Sequence, residues 1–280
     1  MLQQTRVSAV REHYRRFLRR FPTLRKLAAA RESSVLAAWS GLGYYRRARM
    51  MHAAARKIVR EHEGKFPANA AALRELPGIG RYTAAAIASI AFAQPVAVVD
   101  GNVERVLGRM LGNDLTDEDL WRAAEQLLSR QRPGDFNQAM MELGAIICRP
   151  RQPRCLRCPV FGLCATRGEL QKPRKLSRQD KRDVHYALDF RNGSVFLTRR
   201  LKDASLMPGM WELPEIQNAS GKREAILTLK HSITVTDYRV RVTRVPAPDR
   251  IDGQWIPKRR VALLPLTGLA RKILRAAKVI

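Results

Sequence analysis

Leu73-Arg74-Glu75-Leu76-Pro77-Gly78-Ile79-Gly80-Arg81-Tyr82-Thr83-Ala84 is the stretch whose reading decides the fold. An apolar helical pattern stops at Pro77-Gly78 and a second begins at Arg81, so the segment reads as helix, tight turn, helix. Gly78 and Gly80 let the backbone pass close to a ligand, and Ile79 is expected to plug the hairpin into the core. The amides of the turn and of the second helix's first turn then point outward, ready for a phosphate oxygen. A generic αα-corner would use the same glycines. Charge favours the phosphate: 52 Lys and Arg against 25 Asp and Glu give +27 over 280 residues, which suits a polyanionic partner.

Outward from the hairpin, residues 1–170 keep a three- and four-residue apolar step, as in Val35, Leu36, Trp39 and in Ala84, Ile87, Ala88, Ala91. Residues 171–182 carry six basic residues and one acid, almost nothing apolar, and read as a linker. Beyond it the period changes. Val184–Phe190 and Ser194–Arg199 read as strands around an Arg191-Asn192-Gly193 turn, and Ile233–Val245 as one long strand or a bent pair. Leu266–Ile280 closes the chain as an amphipathic helix. The expected architecture is a mainly α domain over 1–170, with the helix–hairpin–helix at 73–92, then a smaller α+β domain over 183–280.

With 45% hydrophobic residues the chain can bury a core. Its longest apolar runs, such as Ala84–Ala93, fall short of a membrane span. No signal-peptide pattern precedes the first helix, so a cytoplasmic protein without a membrane partner is expected. The only four cysteines are Cys148, Cys155, Cys158 and Cys164, too close together for a secreted disulfide framework. Four thiolates in that loop can surround one metal centre. Zinc generally takes two close pairs of ligands, and here only Cys155 and Cys158 are close. The uneven spacing favours a 4Fe–4S cluster, with four unrelated thiols as the bland alternative.

Val96-Ala97-Val98-Val99-Asp100-Gly101-Asn102-Val103 delivers a carboxylate to the mouth of a helix. Asp100 reads as an ordinary N-cap, or as an anion placed to stabilise a cationic sugar. Both readings stay open on these residues alone.

Together, LPGIGRYTA, VDGNVERV and the C-x6-C-x2-C-x5-C loop resemble the endonuclease-III-like DNA glycosylases. MLQQTRV at 1–7, WSGLGYYRRAR at 39–49 and FNQAMMELGAIIC at 136–148 narrow the resemblance to the adenine DNA glycosylases of the MutY type. That resemblance implies a helix–hairpin–helix glycosylase domain, one 4Fe–4S cluster at 148–164 and a Nudix-like domain that recognises 8-oxoguanine. It implies base-excision repair by a monomer acting on double-stranded DNA with A:8-oxoguanine or A:G mismatches.

Carried over, Asp100 matches the catalytic aspartate and Tyr82 a pocket hydroxyl where the lyase relatives have a Schiff-base lysine, so a monofunctional enzyme is implied. Gly78, Gly80 and Asn102 fall in the DNA-contacting motifs. Leu2, Gln4 and Tyr44 resemble residues wedged into the duplex beside the oxidised guanine, and Glu142 a residue contacting adenine. Leu229-Lys230-His231-Ser232 falls where many members have a Phe-Ser-His reading loop, with His231 retained. Met207–Pro214 is similar to the GLW-x-x-P turn of Nudix folds, but the acidic metal-binding helix is missing, so pyrophosphate hydrolysis is not expected. The family's acid glutamate stands two residues before the methionine that matches Met1. Either the native chain is longer, or this is a catalytically impaired DNA-binding form; residues 1–280 alone are expected to excise poorly. The lyase branch is the other alternative.

Overall fold

The computed structural model describes residues 1, 5, 7–112, 115–168, 180–216, 224–233 and 236–280. Helices occupy the first part as the apolar step requires: α1 (Val7–Arg20), α2 (Leu24–Ala29), α3 (Glu32–Trp39), α4 (Arg46–Glu61), α5 (Ala70–Arg74), α6 (Arg81–Phe92), α7 (Gly101–Leu111), α8 (Asp117–Leu127) and α9 (Pro133–Glu142). A π-helical turn, Leu143–Ile147, extends α9, and short 3₁₀ turns cover Cys155–Arg157 and Phe161–Leu163. The strands follow: β1 (Asp180–Ala187), β2 (Phe190–Arg191), β3 (Ser194–Arg199), β4 (Trp211–Glu212), β5 (Glu215–Ile216), β6 (Leu227–Ile233), β7 (Thr236–Thr243) and β8 (Gln254–Pro257). Two helices close the chain, α10 (Lys258–Val261) and α11 (Gly268–Ala276). Among the described residues, no helix is long and apolar enough to cross a membrane.

By contacts the chain falls into two compact units, one of residues 1–56 with 176–280 and one of 57–175. One boundary, at 175/176, falls within the expected linker, and residues 1–56 group with the strands. In that unit one sheet has the order β5-β1-β7-β6, with β1 parallel to β7, and a second runs β2-β3-β4 with β8 also on β3. Leu188, Val195, Leu197, Val240, Val242, Leu266, Ile273 and Leu274 are fully buried between sheet and α11. In the other unit Ala97, Val103, Leu107, Leu120 and Ala124 form a buried cluster with Met140 and Met141 against it.

Three details differ from the sequence reading. β1 begins at Asp180, inside the expected linker, because Asp180–Asp183 pair with Thr236–Arg239 of β7. The first β-turn is the two residues Asn192-Gly193, both at positive φ, and Arg191 pairs with Ser194 in the ladder. Ile233–Val245 holds one strand, β7, and the difference lies before it, where Leu227–Ile233 forms a further strand, β6, paired antiparallel with β7.

Candidate active site

Asp100 sits where a peptide that is not helical meets α7. That peptide is fixed by Asn137, buried on α9, whose Nδ2 donates to Ser89 Oγ at 3.0 Å and to Val96 O at 2.9 Å, while Val98 N donates to its Oδ1 at 3.2 Å. Glu125 Oε2 accepts from Ala97 N at 2.9 Å. With 96–98 pinned, Asp100 arrives at the α7 N-terminus and caps it: Oδ1 accepts from Asn102 N at 2.9 Å and from Val103 N at 2.8 Å. Asn102 Nδ2 donates to Oδ2 at 3.0 Å. Asp100 is thus a helix cap, and the same bonds hold its half-buried carboxylate at one position.

Tyr82, in the first turn of α6, is close enough to Asp100 for the carboxylate's charge to act on it. Burial first, and then Asp100, push its phenol above the usual tyrosine value. Its hydroxyl lies 3.8 Å from Met141 Sδ. The α6 N-terminus has Gly80 as N-cap, which makes no side-chain hydrogen bond to the first-turn amides. Gly78 adopts φ 78° in the turn, a left-handed position that other residues disfavour. Leu73 and Leu76 are the buried anchors of this hairpin, and Ile79 is only half-buried, less of a plug than expected.

Behind Asn102 lies a second layer. Arg105 Nη2 donates to Asn102 Oδ1 at 2.9 Å and to Gly144 O at 2.6 Å, and its Nε to Cys148 O at 2.7 Å. Gly144, in the π-helical turn, has no room for a side chain: a Cβ there would stand 2.6 Å from Asn102 Cβ and 2.9 Å from Asn102 O. The widened turn brings two backbones into direct contact beside the cap. Glu142 is exposed at the end of α9, and among the described residues no hydrogen bond or ion pair engages it.

Farther along α7, Arg109 is 3% exposed. Its Nη1 stands 3.3 Å from Cys148 Sγ and donates to Arg149 O at 2.7 Å, and Nη2 donates to Pro150 O at 3.0 Å. Among the described residues no carboxylate pairs with it, so Cys148 sulfur is the group able to supply counter-charge to this buried cation. Cys164 Sγ lies 3.4 Å from Arg109 O and accepts from Arg167 N at 3.4 Å. All four cysteines are free and half-buried. Among the described residues no three His, Cys, Asp or Glu side chains stand together as a metal cage.

In the other unit, Tyr44 is half exposed at φ 47°. Arg47 lies against both the Tyr44 and Trp39 rings and donates to Met1 O and Thr5 Oγ1. It ties the amino-terminal segment to the glycine loop. Leu2 and Gln4 lie outside the described residues. His231 is half-buried in β6, opposite Tyr238. Leu229–Ser232 is therefore strand, and the reading loop expected there is not a loop, since each residue has a ladder partner on β7.

Asn137, Arg105, Arg109 and Arg47 were not singled out by sequence reasoning. Asn137, Arg47 and Arg105 lie within motifs already quoted. Arg109 follows on α7, with only its spacing from Arg105 as a signal.

The profile of the HhH-GPD superfamily base excision DNA repair proteins matches residues 1–130. An adenine DNA glycosylase of Buchnera aphidicola subsp. Acyrthosiphon pisum is 30% identical over 240 residues, covering 82% of this chain and 68% of its own. The chain belongs to the adenine DNA glycosylase family. The mouse adenine DNA glycosylase is 40% identical over 270 residues, covering 77% of this chain and 52% of its own. The human one is 49% identical over 184 residues, 63% and 34%. The chain thus spans about half the length of the mouse relative, and a third of the human one. A solved thermostable thymine-DNA glycosylase superposes with TM-score 0.56 at 31% identity, over 59% of this chain and 79% of its own. An endonuclease III–DNA covalent intermediate superposes with TM-score 0.54 at 24% identity, a likeness of fold. The helical glycosylase fold of this family member is the one anticipated from the hairpin.

Proposed function

We propose that this chain hydrolyses the N-glycosidic bond of adenine mispaired with 8-oxoguanine or guanine in double-stranded DNA, as a cytoplasmic monomer in base-excision repair. The observation that carries the reading is the Asp100 carboxylate, clamped by two backbone amides and Asn102 beside the Tyr82 hydroxyl. Adenine must leave the stack before its bond can break. As that bond breaks, the sugar gains positive charge, and a carboxylate that is already fixed stabilises it without reorganising. Tyr82 has no amine for a Schiff base, so water, not the protein, takes the sugar. Glu142 contacts the everted adenine in this reading, and protonation of the leaving base is assigned to no residue of 1–280.

Grip on the duplex is assigned to the amides that follow Gly78 and Gly80, with Asn102, and to the positive surface. Leu2, Gln4 and Tyr44 are assigned to the lesion side, with His231 and a Nudix-like domain over 183–280. Cys148, Cys155, Cys158 and Cys164 would hold one 4Fe–4S cluster, which when bound cross-links their loop through four thiolate bonds. The buried Arg109 beside Cys148 Sγ fits a thiolate there.

Single-turnover adenine release tests the reading, using the chain joined to the glutamate-bearing segment that the family places before Met1. Asp100→Asn is expected to slow release roughly 10²–10³-fold, the scale of losing one preorganised electrostatic group, with duplex affinity held within about threefold. Release at the wild-type rate would overturn it. Affinity of residues 1–280 should also fall with salt at a log–log slope of about −0.9 per phosphate neutralised; a flat response would contradict the DNA partner.

A further inference from the structure

We infer that helix α11 sets the spacing between the Tyr44 loop and the β6–β7 hairpin, which makes Arg271 and Lys272 positioning residues for recognition of the base opposite adenine. The inference rests on the lesion-side reading of Tyr44 and His231 and goes beyond it, because neither basic residue belongs to a motif of that reading.

Leu266 O, just before α11, is fully buried and accepts two side-chain hydroxyls, Ser40 Oγ at 2.9 Å and Tyr45 Oη at 3.0 Å. Both lone pairs of that carbonyl are then used. Ser40 Oγ in turn accepts from Arg271 Nε at 2.9 Å. Ser40 and Tyr45 are the two buried ends of the Gly41–Tyr44 loop, and Trp39 Nε1 donates to Gly43 O at 3.1 Å across it. Gly41, at φ 106°, also packs closely, since a Cβ there would lie 3.1 Å from His13 Nε2. The loop is a tied pedestal and Tyr44 is its exposed tip.

The next residue on α11 faces the other element. Lys272 Nζ donates to Lys230 O at 2.7 Å. β6 ends the strand order β5-β1-β7-β6, so among the described residues its outward carbonyls have no strand partner, and the lysine fills one beside His231. α11 cannot slide between the two, because Leu269, Ala270, Ile273 and Leu274 are buried in the core. Adjacent residues of one anchored helix therefore hold the Tyr44 pedestal and the His231 strand in fixed register. Recognition that needs both sides of one base depends on that spacing.

The test is equilibrium binding of residues 1–280 to two duplexes that differ only in 8-oxoguanine or guanine opposite an adenosine analogue that resists excision. Arg271→Met with Lys272→Met is expected to lower the 8-oxoguanine-to-guanine preference roughly fivefold or more, in the range of ordinary coupling between sites, and to leave guanine-duplex affinity within about twofold. Arg271→Lys, which keeps a donor, should restore part of the preference. Tyr45→Phe removes one bond to Leu266 O and is the second variant should the double change unfold the protein; it should lower the preference in the same sense. If both affinities drop together and the salt slope falls by about 0.9 per lysine or arginine removed, these residues are phosphate contacts and the inference is wrong. An unchanged preference in both variants overturns it while Tyr44→Ala still lowers the preference. Should Tyr44→Ala itself leave the preference unchanged, the lesion-side reading fails and the inference fails with it.

Discussion

Asn102 Nδ2 donates to Asp100 Oδ2 at 3.0 Å, while the other oxygen of Asp100 takes the amides of Asn102 and Val103. Oδ1 thus caps α7, and Oδ2, bonded only to the Asn102 side chain among the described residues, is the oxygen that the proposed reaction turns toward the sugar. The tasks separate by substitution. Asp100→Asn keeps an N-cap acceptor and should change unfolding free energy by less than about 0.5 kcal/mol. Asp100→Ala loses the cap as well and should cost about 0.5–2 kcal/mol. Urea unfolding of the two variants checks this, and equal stability losses would mean that the cap is not at Asp100.

Gly144→Ala is expected to be among the costliest single-methyl changes in this chain. Its Cβ would meet Asn102 Cβ and backbone, neither of which is the loose end of a flexible side chain. Overpacking of this kind costs about 1–3 kcal/mol, and displacing Asn102 should also lower adenine release. Urea midpoints and single-turnover release on one preparation check both; a neutral effect on each would show that the π-helical turn does not press on α7.

Arg105→Met should impair release with little change in duplex affinity. The guanidinium satisfies Gly144 O and Cys148 O and holds Asn102 Oδ1. Leaving such carbonyls unpaired costs about 1–3 kcal/mol each where they are buried, and Asn102 is freed to turn away from Asp100. Release rate against affinity is the measurement, and an equal loss in both would place Arg105 on the DNA instead.

Acid should weaken the unit formed by residues 1–56 and 176–280. Burial first, and Arg56 second, hold the His52 imidazole below its usual 6.5; burial and Lys272 do the same for His231. With folded values below the unfolded one, the unfolded chain takes up protons first. The stability is present in full above pH of about 6.5 and is lost as pH falls through the folded values. Wild type should lose unfolding midpoint as pH falls below about 6.5, and His52→Gln should lose less over the same interval. Parallel profiles for the two proteins would contradict the assignment.

Legibility followed the kind of force involved. The helical run, the hairpin and the α7 start were readable because Pro, Gly and Asp punctuate regular apolar spacing there. β7 was readable within Ile233–Val245, but β6 was not, because Leu227–Ile233 is defined by its pairing with β7 and not by a pattern of its own. The assignment of residues 1–56 to the β-containing unit was invisible for the same reason: it depends on Ser40 and Tyr45 reaching Leu266 O, more than two hundred residues away. At the site, Asp100 was visible as a carboxylate at a helix mouth, with its role open until the resemblance was drawn, and Tyr82 was named through the resemblance alone. Arg105 and Asn137 could not, since they act on backbone atoms and a basic or amide residue on a helix face is usually solvated.

In the proposed reaction an everted adenosine places its sugar against Asp100. A crystal structure of the protein with a duplex carrying an excision-resistant adenosine analogue opposite 8-oxoguanine tests it directly. The expected result is Asp100 Oδ2 within about 4 Å of the anomeric carbon, close enough for its charge to stabilise the cation, with Asn102 and Val103 still bonded to the carboxylate. An everted sugar lying against another residue, with Asp100 serving only to cap α7, would contradict it.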